Sequence, residues 1–502
     1  MKGTVHYETR GEIALLSIDN PPVNPLSSGV RQGLFDGMTK ALADEAVKAV
    51  VITGLNRAFI AGADISEFGA AASEGVGLGE ALEIMENSTK PVIAAINGTA
   101  FGGGLETALC CDYRIAASTA PVGLPEVKLG LLPGAGGTQR LPRLIGAQAA
   151  LKAIVSGDPI MAPQAQKLGI VDRIAEGDIV EEGIKYAEEI VAAGSATRKI
   201  RDLTDKIAGD KGNTAVFENA AAQLNKTNRG QFAPAQILKC VEAAVNADSF
   251  DAGMAVEREC FAACMQDPQR EALIHIFFAE RAANKIPGLS KDDPLIDINK
   301  GSVIGSGTMG GGIAMCFANA GIPVRLHDNN AENLAKGLKV IEGNYARTVS
   351  KGRLTQEAMD KRMSLIIPTE NFDDLGDADV VIEAVYENLD LKKEIFAKLD
   401  KVMKPGALLA TNTSGLDVDA IANMTSRPEF VCGMHFFSPA NVMRLLEVVR
   451  GDASSPATLG TAMALGKRLG KVSVMAGNCP GFIGNRMIGG YSRQASTMIL
   501  EG

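Results

Sequence analysis

The chain has 502 residues, 46% hydrophobic and 22% charged, enough for about three domains with sizeable cores. A formal net charge of −9 without any basic block argues against nucleic-acid binding. The start, MKGTVHYETRGEIALL, has no apolar leader region and no apolar run reaches bilayer length, so no membrane span is expected. Eight scattered cysteines in so large a chain do not form a disulfide framework, and the expectation is a reduced, cytoplasmic protein.

From residue 1 to about 175, short β-branched runs (IALLSID, AVVITG, PVIAAING, YRIAA) alternate with helical stretches and glycine-rich turns, which predicts α/β units. Within this region AFGGGLE, residues 100–106, places three glycines directly before a glutamate. A phosphate cradle is one reading, but the adjacent acid would repel a phosphate. The other is a backbone N–H aimed at a neutral carbonyl. Gly103, at a helix start, can present that N–H without a Cβ in the way, and the helix dipole adds to it. Ala63, in the tight AGAD turn, can present a second, and Asp64 beside it reads as a local turn acceptor. Two such donors stabilise the enolate formed from a thioester, and losing one typically costs roughly 10²–10³ in rate. Glu106 after the glycines and Glu126 in LPEVKLG supply two carboxylates, and burial after Pro125 would raise the second. Alone, either acid reads as a surface or capping residue. Together with the two donors they fit addition of water across a double bond.

From about 180 to 285 the period changes to helical, as in EEGIKYAEEIVAA and AQILKCVEAAVNA. Cys260 and Cys264 share one helical face in ECFAAC. With no CxxC pair and only four histidines in the chain, they read as a buried thiol pair rather than a metal site, and no metal is expected. The stretch 286–300, IPGLSKDDPLIDINK, reads as a linker.

A second glycine loop follows in GSVIGSGTMGGGIAMCFANAGIPVRLHD. Gly305, Gly307 and Gly310 lie between a short strand and a helix, with a second strand ending at Asp328. Gly305 permits the turn, Gly307 lets the backbone approach a pyrophosphate, and Gly310 allows close helix–strand packing. Asp328 would accept from a ribose 2′-hydroxyl and repel a 2′-phosphate, which favours NAD over NADP; Arg325 and His327 nearby leave that preference open. Downstream come Ser414 in TNTSGL, His435 in GMHFFSPA, Glu447 in RLLEVV and Asn485 in PGFIGNR. Beside a nicotinamide site, a histidine with an available acid is suited to take the proton of an alcohol as hydride leaves carbon.

GSGTMG, Asp328, VIEAVYEN, NTS, HFFSPA and PGFIGNR together resemble the NAD domain of L-3-hydroxyacyl-CoA dehydrogenases over about 298–502. The resemblance implies His435 as the base with Glu447 as its partner, and Ser414 and Asn485 orienting substrate and nicotinamide. It also implies that Met309, Glu387 and Lys392 line the NAD site, with Ser438 where many members carry Asn. NRAFIAGADI, INGTAFGGGLE and GLPEVKLGLLPGAGGTQRL similarly resemble the crotonase, or enoyl-CoA hydratase, superfamily over about 1–190. That implies a spiral of ββα turns, an oxyanion hole from Ala63 and Gly103, Glu106 and Glu126 as the hydratase pair, and Gly134 helping to position water.

The expected architecture is α/β: a crotonase domain over 1–195, a helical extension and linker over 196–297, a Rossmann-type NAD domain over 298–478, and the beginning of a helical domain over 479–502. Taken together, the chain resembles bacterial multifunctional β-oxidation enzymes, C-terminally truncated. It would hydrate trans-2-enoyl-CoA and oxidise the L-3-hydroxyacyl-CoA with NAD, with isomerisation as a side activity. Acyl-CoA thioesters are the expected partners, and a thiolase is a candidate to which no residue points. Three alternatives stay open: a hydratase or isomerase acting on another acyl-CoA, a hydratase/isomerase whose NAD-binding half is inactive, and a scaffold that binds without turnover.

Overall fold

The computed structural model describes residues 2–64, 75–194, 197–284, 286, 288–290 and 293–502. Ile65 at the end of NRAFIAGADI, and residues 287, 291 and 292 of the linker stretch, lie outside the described residues. The chain divides into two compact units, Met1–Phe277 and Phe278–Gly502.

The first unit is a spiral. Its larger sheet has six strands, in the order Thr4–Arg10, Ile13–Asp19, Ala49–Gly54, Val92–Ile96, Tyr113–Ala117 and Arg173–Ala175. The first pair is antiparallel and the others are parallel. A smaller sheet of four contains Ala58–Ile60, Thr99–Phe101, Pro121–Gly123 and Ile160–Met161. Each turn lays one strand in the large sheet, one in the small sheet, then a helix; Val92–Ile96, Thr99–Phe101 and Gly103–Cys110 make up one such turn. Alternation along the large-sheet strands sends Ala14, Leu16 and Ile52 into the main core. Ile13, Leu15 and Val51 point to the other face, which the helix Ile179–Ala192 covers. Asp178 caps that helix by accepting from the amides of Val180 and Glu181.

The helices between residues 205 and 266 also belong to this unit. Ala233–Asn246 packs on Gly137–Ile145 and Ala147–Ser156, and Phe250–Gln266 packs on Ala233–Asn246. Cys260 and Cys264 are both buried there.

The second unit is built on one eight-stranded sheet. Its order is Ile366–Thr369, Val324–His327, Gly301–Ile304, Val380–Glu383, Leu408–Thr411, Val431–Phe436, Leu445–Arg450 and Val472–Gly477. The first six strands are parallel, and among the described residues the only antiparallel pairing in the sheet joins Val431–Phe436 to Leu445–Arg450. Their apolar runs are buried on both faces, as a parallel sheet under helices requires. Gly301–Ile304 lies where the strand order reverses, the position at which such sheets bind ligands. The unit ends in the helix Gly484–Glu501.

Candidate active sites

In the first unit, three site residues occupy matching places in successive turns of the spiral. Ala63 follows the small-sheet strand Ala58–Ile60, Gly103 follows Thr99–Phe101, and Glu126 follows Pro121–Gly123. Those strands run parallel, so the residues after their C-terminal ends gather on one side. A Cβ on Gly103 would stand 3.8 Å from the Ala63 amide nitrogen, which places the two prospective donors side by side. The glycine run has a separate reason at each position. Gly102 has φ +54°, and a Cβ there would lie 3.0 Å from Glu126 Oε1. A Cβ on Gly103 would meet Leu26 Cδ1 at 2.9 Å, and one on Gly104 would collide with the Ile60 carbonyl at 2.1 Å. Only a chain without side chains passes here.

Glu106, on the helix Gly103–Cys110, is 2% exposed. Its Oε1 accepts from the amides of Ala135 at 2.8 Å and Gly137 at 2.9 Å. Burial pushes its carboxyl up, against the pull of those amides and of Arg140. Glu126 opens the short 3₁₀ turn Glu126–Leu129. Its buried Oε2 has no hydrogen-bond partner among the described residues. Burial, reinforced by repulsion from Glu106, holds it well above the ordinary carboxylate range. One acid is therefore fixed by amides and the other is left with a buried oxygen unengaged. Gly134 is exposed and a Cβ on it would strike the Phe261 ring at 2.6 Å; the amides that reach Glu106 come from Ala135 and Gly137.

Two residues escaped the sequence reading. Glu257, fully buried on the helix Phe250–Gln266, accepts from the Gly136 amide at 2.7 Å and the Thr138 amide at 3.2 Å. It also accepts from the Thr138 hydroxyl. Burial, with repulsion from Glu106, pushes it up to about 8. Arg140 makes a buried two-point ion pair with Glu86, both contacts 2.8 Å, and donates to the Ala135 carbonyl at 2.9 Å. Glu257 lies on the stripe Gly253, Glu257, Cys260, Cys264, all buried. An acid in line with buried thiols was the available signal.

In the second unit, the loop after Gly301–Ile304 turns at Gly305, with φ +98°. A Cβ on Gly310 would overlap the Gly305 carbonyl, whereas one on Gly307 would meet nothing within 4 Å. The loop is thus tight where helix and strand meet and open where a pyrophosphate would approach. Asp328 Oδ2 accepts from the Ser306 amide at 3.0 Å and its hydroxyl at 2.7 Å. Burial works against its charge, but these bonds hold it below the ordinary range. Arg325 is turned to Asp377, and His327 Nδ1 lies 3.1 Å from the Thr369 carbonyl. Neither makes a hydrogen bond to Asp328 among the described residues. Met309 stands in the first turn of the helix after the loop and packs against the core.

Lys392, 1% exposed, lies 2.6 Å from Glu383 Oε1 and 3.4 Å from Glu387 Oε2. Glu387 Oε1 accepts from the Thr413 hydroxyl and from both the amide and the hydroxyl of Ser414, at 2.7–2.9 Å. Asn485 donates to the Ser414 carbonyl at 3.1 Å. Glu383, fully buried and bonded to Thr411, is the member the sequence did not reveal, since a strand-end acid in VVIEAV carries no mark of its role. Ser438 sits exposed in the turn after Val431–Phe436 and joins no bond of this network among the described residues.

The antiparallel register sets His435 opposite Glu447. Their side chains meet with Nδ1 2.7 Å from Oε2. Glu447 Oε1 accepts from the amides of Ile483 at 3.1 Å and Gly484 at 2.7 Å. Burial opposes its charge, and the bonds from His435 and Gly484 overcome that and keep its carboxyl below the usual range. Phe437 and Phe482 flank the imidazole.

Residues 8–230 match the family model for enoyl-CoA hydratase/isomerase, and residues 300–479 match that for the NAD-binding domain of 3-hydroxyacyl-CoA dehydrogenase. The peroxisomal bifunctional enzyme of Danio rerio is 44% identical over 99% of this chain and 68% of its own length. The chain belongs to the multifunctional β-oxidation enzymes. The human peroxisomal bifunctional enzyme is 43% identical, covering 98% of this chain and 68% of its own. The Arabidopsis thaliana peroxisomal fatty acid beta-oxidation multifunctional protein AIM1 is 38% identical, covering 96% and 68%.

As a member of this family the chain carries an enoyl-CoA hydratase and an NAD-dependent 3-hydroxyacyl-CoA dehydrogenase of fatty-acid β-oxidation, on a crotonase domain followed by a Rossmann domain. Two parts of the sequence reading are corrected. Relatives named peroxisomal or glyoxysomal overturn the cytoplasmic expectation. The relatives cited are vertebrate and plant enzymes, which does not support a bacterial source, and this chain spans 68% of their length.

Proposed function

We propose the following division of work among the residues. Ala63 and Gly103 direct their amides at the thioester carbonyl oxygen, where negative charge builds during hydration. Glu106 and Glu126 flank the water: its oxygen joins C3 of the enoyl chain, and a proton is delivered to C2. The observation that carries this assignment is the contrast between the two acids, Glu106 fixed by two amides and Glu126 keeping a buried Oε2 unengaged. Because Glu126 is free to give or take a proton, it is also the residue suited to shifting a double bond as a side activity.

In the second unit, His435 takes the hydroxyl proton of the 3-hydroxyacyl-CoA, and Glu447 fixes the imidazole's orientation and stabilises its charged form. NAD, when bound, accepts the hydride. Gly305, Gly307 and Gly310 form its phosphate loop, Asp328 reads its ribose, and Met309, Glu387 and Lys392 line its site. Ser414, bonded to Glu387, and Asn485, bonded to Ser414, orient the substrate and the nicotinamide, and Ser438 contributes to the NAD site. The 3-ketoacyl product calls for thiolytic cleavage next, and that chemistry alone supports a thiolase partner.

The test is one cuvette holding the purified chain, crotonyl-CoA and NAD. Loss of enoyl-thioester absorbance together with NADH formation is expected. NADH absent even with 3-hydroxyacyl-CoA supplied would refute the His435 assignment, and no loss of enoyl absorbance would refute that of the two glutamates.

A further inference from the structure

We propose that Glu257 is a positioning residue for hydration, clamping through its carboxylate the loop that delivers two amides to Glu106. The inference rests on the reading of Glu106 as a hydratase acid. The loop 134–138 is held by two carboxylates that share its amides alternately. Ala135 and Gly137 donate to Glu106 Oε1, while Gly136 and Thr138 donate to Glu257. The pairs interleave within four consecutive residues, so neither carboxylate can shift without moving the donors of the other.

The loop runs into the helix Gly137–Ile145, and Gly136 before it has φ +96°. Two carboxylates at that helix start are favoured by its dipole. The helix carrying Glu257 is seated closely: a Cβ on Gly253 would lie 2.2 Å from Gln139 Oε1. Gln139 Nε2 in turn donates to the Cys240 carbonyl at 2.9 Å and to the Thr138 hydroxyl at 3.0 Å. Glu257 thereby carries the fit of a distant helix into the donors of a site acid. An error of about 1 Å in such a constellation can cost 10²-fold in rate.

Charge makes the role measurable. The titratable and charged groups around Glu257 are Glu106, Glu126, Arg140 with its partner Glu86, and the thiols of Cys240 and Cys260. Glu257 and the two site acids repel one another. Above about pH 8, where Glu257 carries charge, removing that charge should let the remaining pair ionise more easily, moving the alkaline limb of the hydration pH profile to lower pH.

The experiment compares the full chain with Glu257→Gln, which keeps side-chain volume, using crotonyl-CoA. The expected result is a tenfold to hundredfold fall in kcat, KM within about twofold, the alkaline limb of the profile displaced to lower pH, and unaltered NADH formation from 3-hydroxyacyl-CoA. Wild-type kcat and profile in Glu257→Gln, or a change in KM alone, would overturn the proposal. Should that variant lose its cooperative unfolding transition, Thr138→Val removes the hydroxyl donor to Glu257 and keeps the volume. The same displacement there supports the clamp, and an unchanged profile overturns it. A wild-type chain without hydration, or hydration undiminished in Glu126→Gln, would instead strike the reading on which the proposal rests.

Discussion

His435 and Glu447 face each other across an antiparallel pairing of the second sheet, Nδ1 to Oε2 at 2.7 Å, and the far oxygen of Glu447 is held by the Gly484 amide at 2.7 Å. A carboxylate fixed at both oxygens holds the ring in place. Replacing it by an amide of the same shape keeps the packing and removes the charge. Glu447→Gln is expected to lower NADH formation by roughly 10²–10⁴, the scale seen when an orienting acid loses its charge. Hydration should be untouched. Stopped-flow NADH absorbance alongside enoyl loss checks both, and equal losses would show that the two sites are not separate.

Glu126 offers the sharpest test in the first unit, because its buried Oε2 lacks a hydrogen-bond partner among the described residues. Glu126→Gln should reduce hydration at least 10³-fold, on the scale of losing a general acid or base. NAD affinity, read by nucleotide fluorescence, should stay within error. Retained hydration would remove Glu126 from the mechanism.

Asp328 is held charged by Ser306 and lies at the end of the strand beside the glycine loop. Asp328→Ala should weaken NAD binding by about tenfold and narrow the gap to NADP, since the repulsion of a 2′-phosphate goes with the charge. Titration with each nucleotide measures the ratio. A ratio equal to that of the wild type would mean the ribose is read elsewhere.

Gly104 is a matter of space alone. A methyl group there would collide with the Ile60 carbonyl at 2.1 Å, and backbone cannot move aside as a flexible side chain can. Gly104→Ala is expected to destabilise the first unit by roughly 1–3 kcal/mol, the cost of overpacking, and to displace Gly103 with it. Denaturant unfolding gives the first value and hydratase kcat the second; wild-type stability would show that the strand can yield.

The buried acids also set a pH dependence. Glu257 is raised from an ordinary value of 4.5 to about 8, so across that window the folded chain keeps a proton the unfolded chain has lost. Its contribution to stability is complete below about 4.5 and is lost as pH rises through about 8. Glu257→Gln should therefore flatten the decline in melting temperature between about pH 5 and about pH 9. Calorimetry across that range checks it; an identical slope in the variant would assign the decline to other groups.

How much of this was legible in the chain depended on distance along it. Glu106 stands three residues from Gly103, and Gly305, Gly307 and Gly310 span one turn, so local pattern exposed them. His435 and Glu447 are twelve apart, joined by a hairpin register that alternation alone suggests. Glu257 and Gly136 are separated by 121 positions, and Glu86 and Arg140 by 54. Their partnership exists only after helices pack, and an acid among Val256, Cys260 and Cys264 looks like an ordinary surface charge until the buried stripe is drawn.

The contribution of Glu257 bears on where this chain can be cut. The enoyl-CoA hydratase/isomerase match ends at residue 230, short of the helix Phe250–Gln266, while the compact first unit runs to Phe277. A fragment trimmed to the recognisable domain would keep both acids and both amide donors and still lack half the grip on its own loop. A hydratase fragment that keeps Glu257 is therefore longer than the sequence that identifies it, and a cut that leaves the first compact unit whole falls beyond residue 277.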